Sequence, residues 1–184
     1  HSLAYATHAG DLPTRVFIGG VSLFIQREIL QQLDGFDPAL GMKGQQLGYE
    51  EDSDLGRRIV HVTGQPIYYD PELWVYHLVR AEKLSLGFLI RDQFVRGRYY
   101  YRALSRKKQP DGWFRVLWRG GKVSLKFAYL ISQALLRNRK HNPYLEQNLY
   151  GHPEFRRLLW QMGQIYESIW TWRVNTNRKM HDQL

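Results

Sequence analysis

Hydrophobic positions change their period along the chain. Residues 1–13 show no clear period and end at Pro13, which predicts a lead-in loop. Val16-Phe17-Ile18 and Val21 to Ile25 are short apolar runs around Gly19-Gly20, and they predict strands with a bend at the glycines. Arg27 to Leu33 places Ile29, Leu30 and Leu33 on one helical face and stops at Asp34-Gly35. Gly35 to Gly48 holds Pro38 and four glycines, the composition of an irregular surface loop. From Glu50 the period becomes helical: Leu55, Ile59 and Val62 recur at i, i+4, i+7, with acids in front, Arg57-Arg58 behind and Gly64 as a stop. Pro66 to Tyr69 and Leu73 to Leu78 predict two further strands, separated by Asp70-Pro71. Strands alternating with helices predict an α/β layered arrangement.

Behind Ala81 the strands disappear. Leu84 to Arg106, Phe114 to Arg137 and Glu154 to Trp170 predict three helices, interrupted at Gln109-Pro110-Asp111-Gly112 and again at His152-Pro153. No internal repeat is evident. This divides the chain into residues 1–82 and a helical, aromatic-rich region 83–184.

Charge follows the same division. Residues 1–80 hold 6 basic and 10 acidic side chains, whereas residues 81–184 hold 20 basic and 7 acidic. At 184 residues, 43% hydrophobic and 23% charged, the chain has the make-up of a globular protein able to bury a core. The absence of cysteine excludes disulfides, thiolate catalysis and Cys-ligated zinc. The most apolar long segment, Val123 to Leu136, is interrupted by Lys126 and Gln133 and is too short to span a bilayer. No charged-then-apolar leader follows His1, and an opening His is expected of a processed product or an excised fragment.

The strongest chemical feature is Glu50-Glu51-Asp52-Ser53-Asp54, four carboxylates in five residues ahead of Arg57-Arg58. Such a cluster needs an offset from solvent, a helix N-terminus, a cation or a raised pKa on one member. A solvated helix start is one reading. The other is a carboxylate that accepts a proton from an attacking hydroxyl, which requires an acid held rigidly beside its acceptor. His77 ends the run Leu73-Trp74-Val75-Tyr76; a lone His there serves as a hydrogen-bonded structural residue or as a metal ligand. Gln93-Phe94-Val95-Arg96-Gly97-Arg98 is a polar, basic cluster on a predicted helix, and a solvated face explains its composition.

The order of these pieces says more than any one of them. Ile18-Gly19-Gly20-Val21-Ser22 to Glu28 is followed by Leu33-Asp34-Gly35-Phe36-Asp37, then by Gly48-Tyr49-Glu50-Glu51-Asp52-Ser53-Asp54-Leu55, Arg58, Gly64, Tyr69-Asp70-Pro71 and Val75-Tyr76-His77. Over residues 15–100 this order resembles the C-terminal half of family 2 glycosyltransferases with the GT-A (nucleotide-diphospho-sugar transferase) fold. The stretch Pro38 to Leu47 before the acids looks like the bacterial cell-surface polysaccharide type.

The resemblance implies a fold class: α/β, the C-terminal part of a GT-A domain over residues 1–82, followed by a mainly helical basic tail. It also implies transfer of a sugar, with inversion, from a nucleotide-sugar donor to a saccharide or lipid-linked acceptor. Asp52 matches the catalytic base and Glu51 its partner. His77 matches a position that holds the divalent cation (Mg2+ or Mn2+) on the donor diphosphate, where a hard cation offsets the charge of the leaving group. Gly19 and Gly20 would admit substrate close to the backbone. Gln93 and Arg96 resemble the Gln-x-x-Arg-Trp signature of processive relatives, with Gly97 in place of Trp, which argues against a processive synthase. Arg96 or Arg98 would clamp the diphosphate. Arg58 is expected to bond back to the acids one helical turn away.

No nucleotide-binding unit precedes Thr14, and Asp52-Ser53-Asp54 sits at a helix start, so the chain is expected to lack the donor half and to be inactive in isolation. Residues 81–184 carry Trp113, Trp118, Trp160, Trp170 and Trp172 among many Lys and Arg. Such a tail fits an anionic membrane surface, giving a cytoplasmic protein peripheral to the inner face of the plasma membrane. A helical cap packed on the catalytic layer is the rival reading. Two other classes stand beside the enzyme: a non-catalytic sugar-binding or membrane-surface module, and a nucleic-acid-binding protein that stacks bases between its cations.

Overall fold

The computed structural model describes residues 8–13, 19–76, 78–105, 112–141 and 149–181. Of the described residues 64% are helix and 4% strand, with one two-stranded sheet among them. The expected α/β GT-A architecture is therefore corrected: there is no central sheet among the described residues. The strands are β1 (Gly10–Asp11) and β2 (Tyr68–Tyr69), antiparallel, with Gly10 opposite Tyr69 and Asp11 opposite Tyr68.

A strand exists only when a neighbour completes its hydrogen-bond ladder, and apolar alternation does not supply that neighbour. Val21 to Ile25 and the described residues of Leu73 to Leu78 are not in strands, and Phe24, Trp74 and Tyr76 are exposed. The strand expected at Val16-Phe17-Ile18 lies outside the described residues. Conversely, β1 falls in the lead-in segment expected to be loop. Its Leu12 amide extends the pairing by donating to the Ile67 carbonyl at 2.8 Å.

The chain divides into two compact units, one of His1–Gly44 with Tyr49–Val79, the other of Gln45–Gly48 with Arg80–Leu184. In the first unit, α1 (Arg27–Gln32) ends where Asp34 and Gly35 turn into the left-handed region, with φ of 54° and 69°. Gly35 closes the turn through its amide, which donates to the Leu30 carbonyl at 2.9 Å. α2 (Glu51–Thr63) ends at Gly64, also left-handed at φ 65°, whose amide donates to the Val60 carbonyl. Ser53, Asp54, Leu55 and Gly56 are all buried, and Leu55 is fully so. The first turn of α2 is thus set into its unit rather than held out in water.

In the second unit a short 3-10 turn (Ala81–Leu84) leads to three long helices: α3 (Leu86–Ser105), α4 (Trp113–His141) and α5 (Pro153–His181). Ser85 caps α3, its hydroxyl accepting the Phe88 amide at 3.2 Å. At the head of α5, Pro153 occupies the first helical position and His152 Nδ1 accepts the Phe155 amide at 3.3 Å. Leu89, Phe155 and Leu159 form the core with Leu86, Phe127, Leu130 and Ile131 around them, and the Phe127 and Phe155 rings stack at 5.8 Å. α3 lies along α5 at close range. A Cβ on Gly97 would collide with the Trp160 carbonyl, and one on Gly163 with the Phe94 carbonyl. Glycine at both positions lets the two backbones touch.

Candidate functional site

Glu50 precedes α2 with φ 75°, a left-handed conformation that disfavours any side chain larger than glycine. Its carbonyl accepts the Asp54 amide at 2.8 Å, and its carboxylate meets Arg57 at 3.5 Å. This twist brings Glu51 and Asp52 into the first helical turn, where the N-terminal end of the helix dipole favours negative charge.

Asp52 is half-buried and anchored at both oxygens. Oδ2 accepts the Gly20 amide at 2.8 Å, across 32 residues of chain, and Oδ1 accepts the Ser53 amide at 2.7 Å. Two backbone donors fix the carboxylate without consuming it, since an ionised carboxyl group offers about four acceptor sites. A Cβ at Gly20 would lie 3.4 Å from Asp52 Cβ, an ordinary contact, so it is the Gly20 amide and not the missing side chain that matters there. Glu51 runs beneath Gly41: a Cβ on Gly41, whose φ is 73°, would sit 3.1–3.3 Å from the Glu51 side chain.

Asp54 is buried and paired within the unit. Arg58 Nε donates to Asp54 Oδ2 at 2.8 Å, while its two terminal nitrogens donate to the carbonyls of Leu33 and Gly35, each at 2.8 Å. One guanidinium therefore joins the first turn of α2 to the end of α1, using the planar fork that lysine lacks. The four acids thus differ in what they do. Glu50 and Asp54 hold structure, Glu51 lies under a glycine, and Asp52 is presented by amides.

Of the expected site residues, the structure brings Gly20 and Asp52 together and sets Glu51 beside Asp52 in sequence and in the same helical turn. Gly19 immediately precedes the donor Gly20 in the described loop. His77 lies outside the described residues. Gln93, Arg96 and Arg98 belong to the second unit and are held there by acids. Asp92 Oδ2 accepts both Arg96 Nε at 2.8 Å and Gln93 Nε2 at 3.1 Å. Arg98 Nε donates to Glu167 Oε2 at 2.9 Å, and Arg102 donates twice to Glu167 Oε1 at 2.9 and 2.6 Å. Glu167 is nearly fully buried, its side chain 3% exposed, so Arg98 and Arg102 supply the charge that makes its burial tolerable. Among the described residues, no three acids or histidines converge on a point where a metal ion would fit.

The second unit also holds an apolar groove that no run of residues announces. It has a volume of about 370 Å³, lies between α4 and α5, and is lined by Trp113, Val116, Leu117, Ser168, Ile169 and Trp172. The Trp residues of both segments are its only trace in the sequence, and the helix pairing is what puts them on one groove.

Comparison with protein-family models, with curated proteins and with solved structures finds no match.

Proposed function

We propose that the chain contributes the acceptor-activating part of a sugar-transfer reaction, with Asp52 as the general base. What supports this reading is the double amide anchorage of Asp52 at a helix start, by Gly20 from one side and Ser53 from the other. A base must be reachable and held in one orientation, and a half-buried carboxylate fixed by two amides meets both needs. The acceptor hydroxyl donates its proton to a free lone pair of Asp52 as its oxygen attacks the anomeric carbon of a nucleotide sugar. The bond from that carbon to the diphosphate breaks, and the configuration inverts. Glu51 orients the acceptor or tunes the neighbouring carboxylate, and the backbone at Gly19-Gly20 lies against the sugar.

Arg96 is committed to Asp92 and Arg98 to Glu167 within the second unit, so neither is assigned to the donor diphosphate. Gln93 stays with Arg96 on Asp92. A divalent cation, Mg2+ or Mn2+, supplies the counter-charge to the diphosphate when bound, and His77 is the residue offered for it by the resemblance. The described residues assemble no site for that ion, and the proton transfer to Asp52 does not depend on it. The setting proposed is the cytoplasmic face of the plasma membrane, where a lipid-linked acceptor would be met. No described helix is long and apolar enough to cross a membrane.

The test is calorimetry of the native protein with UDP and GDP in the presence of Mn2+, followed by release of nucleoside diphosphate from the corresponding sugars. Saturable nucleotide binding with turnover supports the transferase. Sugar or oligosaccharide binding without nucleotide binding would move the chain to the class of non-catalytic carbohydrate-binding modules.

A further inference from the structure

α4 is apolar on two sides, and only one of them is covered. The covered side is Val116, Val123, Phe127 and Ala134, at spacings of 7, 4 and 7 residues, packed toward α5 and the core. Phe114, Trp118, Leu125, Tyr129 and Leu136 form a second row, at spacings of 4, 7, 4 and 7. The second row is offset from the first by two residues, which is about 200° around an α-helix, so it points outward. Its members are exposed throughout, from 60% at Trp118 to 74% at Leu125. From Phe114 to Leu136 the row runs about 33 Å at 1.5 Å per residue. Phe114 meets Trp113 edge to face at 6.2 Å, and Trp113 lines the groove with Ile169 and Trp172. The uncovered surface therefore continues from the row across to α5.

The charges of α4 say what covers it. The helix has no Asp or Glu and seven Lys and Arg. Arg115, Lys122 and Lys126 recur along one flank of the row, and the Lys122 ammonium lies 4.7 Å from the Trp118 ring centroid. A protein partner's interface core is depleted in charge, and a nucleic acid would leave Leu125 and Leu136 uncovered. An apolar row with Trp and Tyr, bordered by cations and free of acids, matches the boundary between headgroups and acyl chains of an anionic bilayer.

We infer that α4 lies flat on an anionic lipid surface, with Phe114, Trp118, Leu125, Tyr129 and Leu136 immersed and the flanking cations on the headgroups. This deepens the membrane-surface part of the proposed function and rests on it. It uses no residue of the Asp52 site, so either can fail alone.

The test is co-sedimentation of the full chain with phosphatidylcholine vesicles containing 0 or roughly 30% phosphatidylglycerol, the anionic component that attracts basic segments. Binding is expected only to the anionic vesicles, weakening as salt rises. The triple variant Phe114→Ser, Trp118→Ser, Leu125→Ser should partition at least ~10-fold less well, and Lys122→Glu with Lys126→Glu should lose binding by a similar factor. All five positions are exposed, and unchanged circular dichroism and melting temperature will verify that the fold persists. Equal binding by wild type and triple variant would overturn the inference. So would failure to bind anionic vesicles, self-association abolished by the same serines, or salt-sensitive binding to single-stranded RNA without vesicle binding.

Discussion

Gly97 of α3 and Trp160 of α5 meet backbone to backbone, so closely that the Trp160 carbonyl occupies the place where a side chain at residue 97 would begin. Gly163 makes the reciprocal approach to the Phe94 carbonyl, one turn further along α5. Residue 97 belongs to a helix contact that admits no side chain. Gly97→Ala and Gly163→Ala should each destabilise the second unit by about 3 kcal/mol, because the obstacle is backbone and moves only if the helices separate. Gly121→Ala, in an exposed stretch of α4 with nothing within 4 Å, should be neutral or slightly stabilising. Urea denaturation of the three variants checks the contrast.

The same pair of helices is tied by Glu167, which holds Arg98 and Arg102 at once. Glu167→Ala should cost about 2 kcal/mol, as it strands two cations that are themselves only partly shielded. Arg102→Ala should cost less, since Arg98 still neutralises the carboxylate and stacks over Tyr166 at 4.9 Å. Thermal melts of both variants test that order. Equal losses would mean that Arg98 cannot hold Glu167 by itself.

Arg58 predicts a third difference. Arg58→Lys retains the charge next to Asp54 but cannot also reach the carbonyls of Leu33 and Gly35. A loss of about 1–2 kcal/mol is expected, from two hydrogen bonds to part-buried carbonyls. Hydrogen exchange should show the effect at the α1 end, where the Gly35 amide should lose protection.

Gly20 separates the amide from the side chain as the origin of the Asp52 geometry. Gly20→Ala leaves the N–H in place and meets Asp52 only at ordinary contact distance. Gly20→Pro removes the donor. Under the proposed mechanism the alanine variant should transfer sugar at near the wild-type rate and the proline variant at least ~10-fold more slowly, as positioning of a general base is lost. Turnover of both variants, with circular dichroism to confirm folding, is the measurement.

The helices were legible because their signals are local. Asp34-Gly35 and Gly64 mark ends through the left-handed turns that the structure shows, and Leu55, Ile59 and Val62 follow the period of one helix face. Of the strands only Tyr68–Tyr69 was legible, inside the Pro66 to Tyr69 run, because pairing is a long-range property: the described residues of Leu73 to Leu78 have a strand's composition but are in no strand, while Gly10–Asp11 pairs with Tyr68–Tyr69 without any strand-like run of its own. In the candidate site, the acid cluster stood out by its density, but its division of labour did not. That Asp54 belongs to Arg58, and Asp52 to an amide 32 residues earlier, depends on how α2 is set against the preceding loops. Likewise Arg98 reads as a free cation until Glu167, 69 residues away, is placed beside it.

Asp52→Asn tests the proposed mechanism most directly, read as the rate of nucleoside diphosphate release with acceptor present and as nucleotide affinity. The amide keeps the shape and one oxygen acceptor but does not take the hydroxyl proton. Turnover is expected to fall by about 10²–10⁴-fold with nucleotide affinity unchanged and only a small drop in melting temperature, because one of the two backbone amides loses its acceptor. Transfer at the wild-type rate in that variant would contradict a proton-accepting role for Asp52 and leave the carboxylate a structural tie between Gly20 and the first turn of α2.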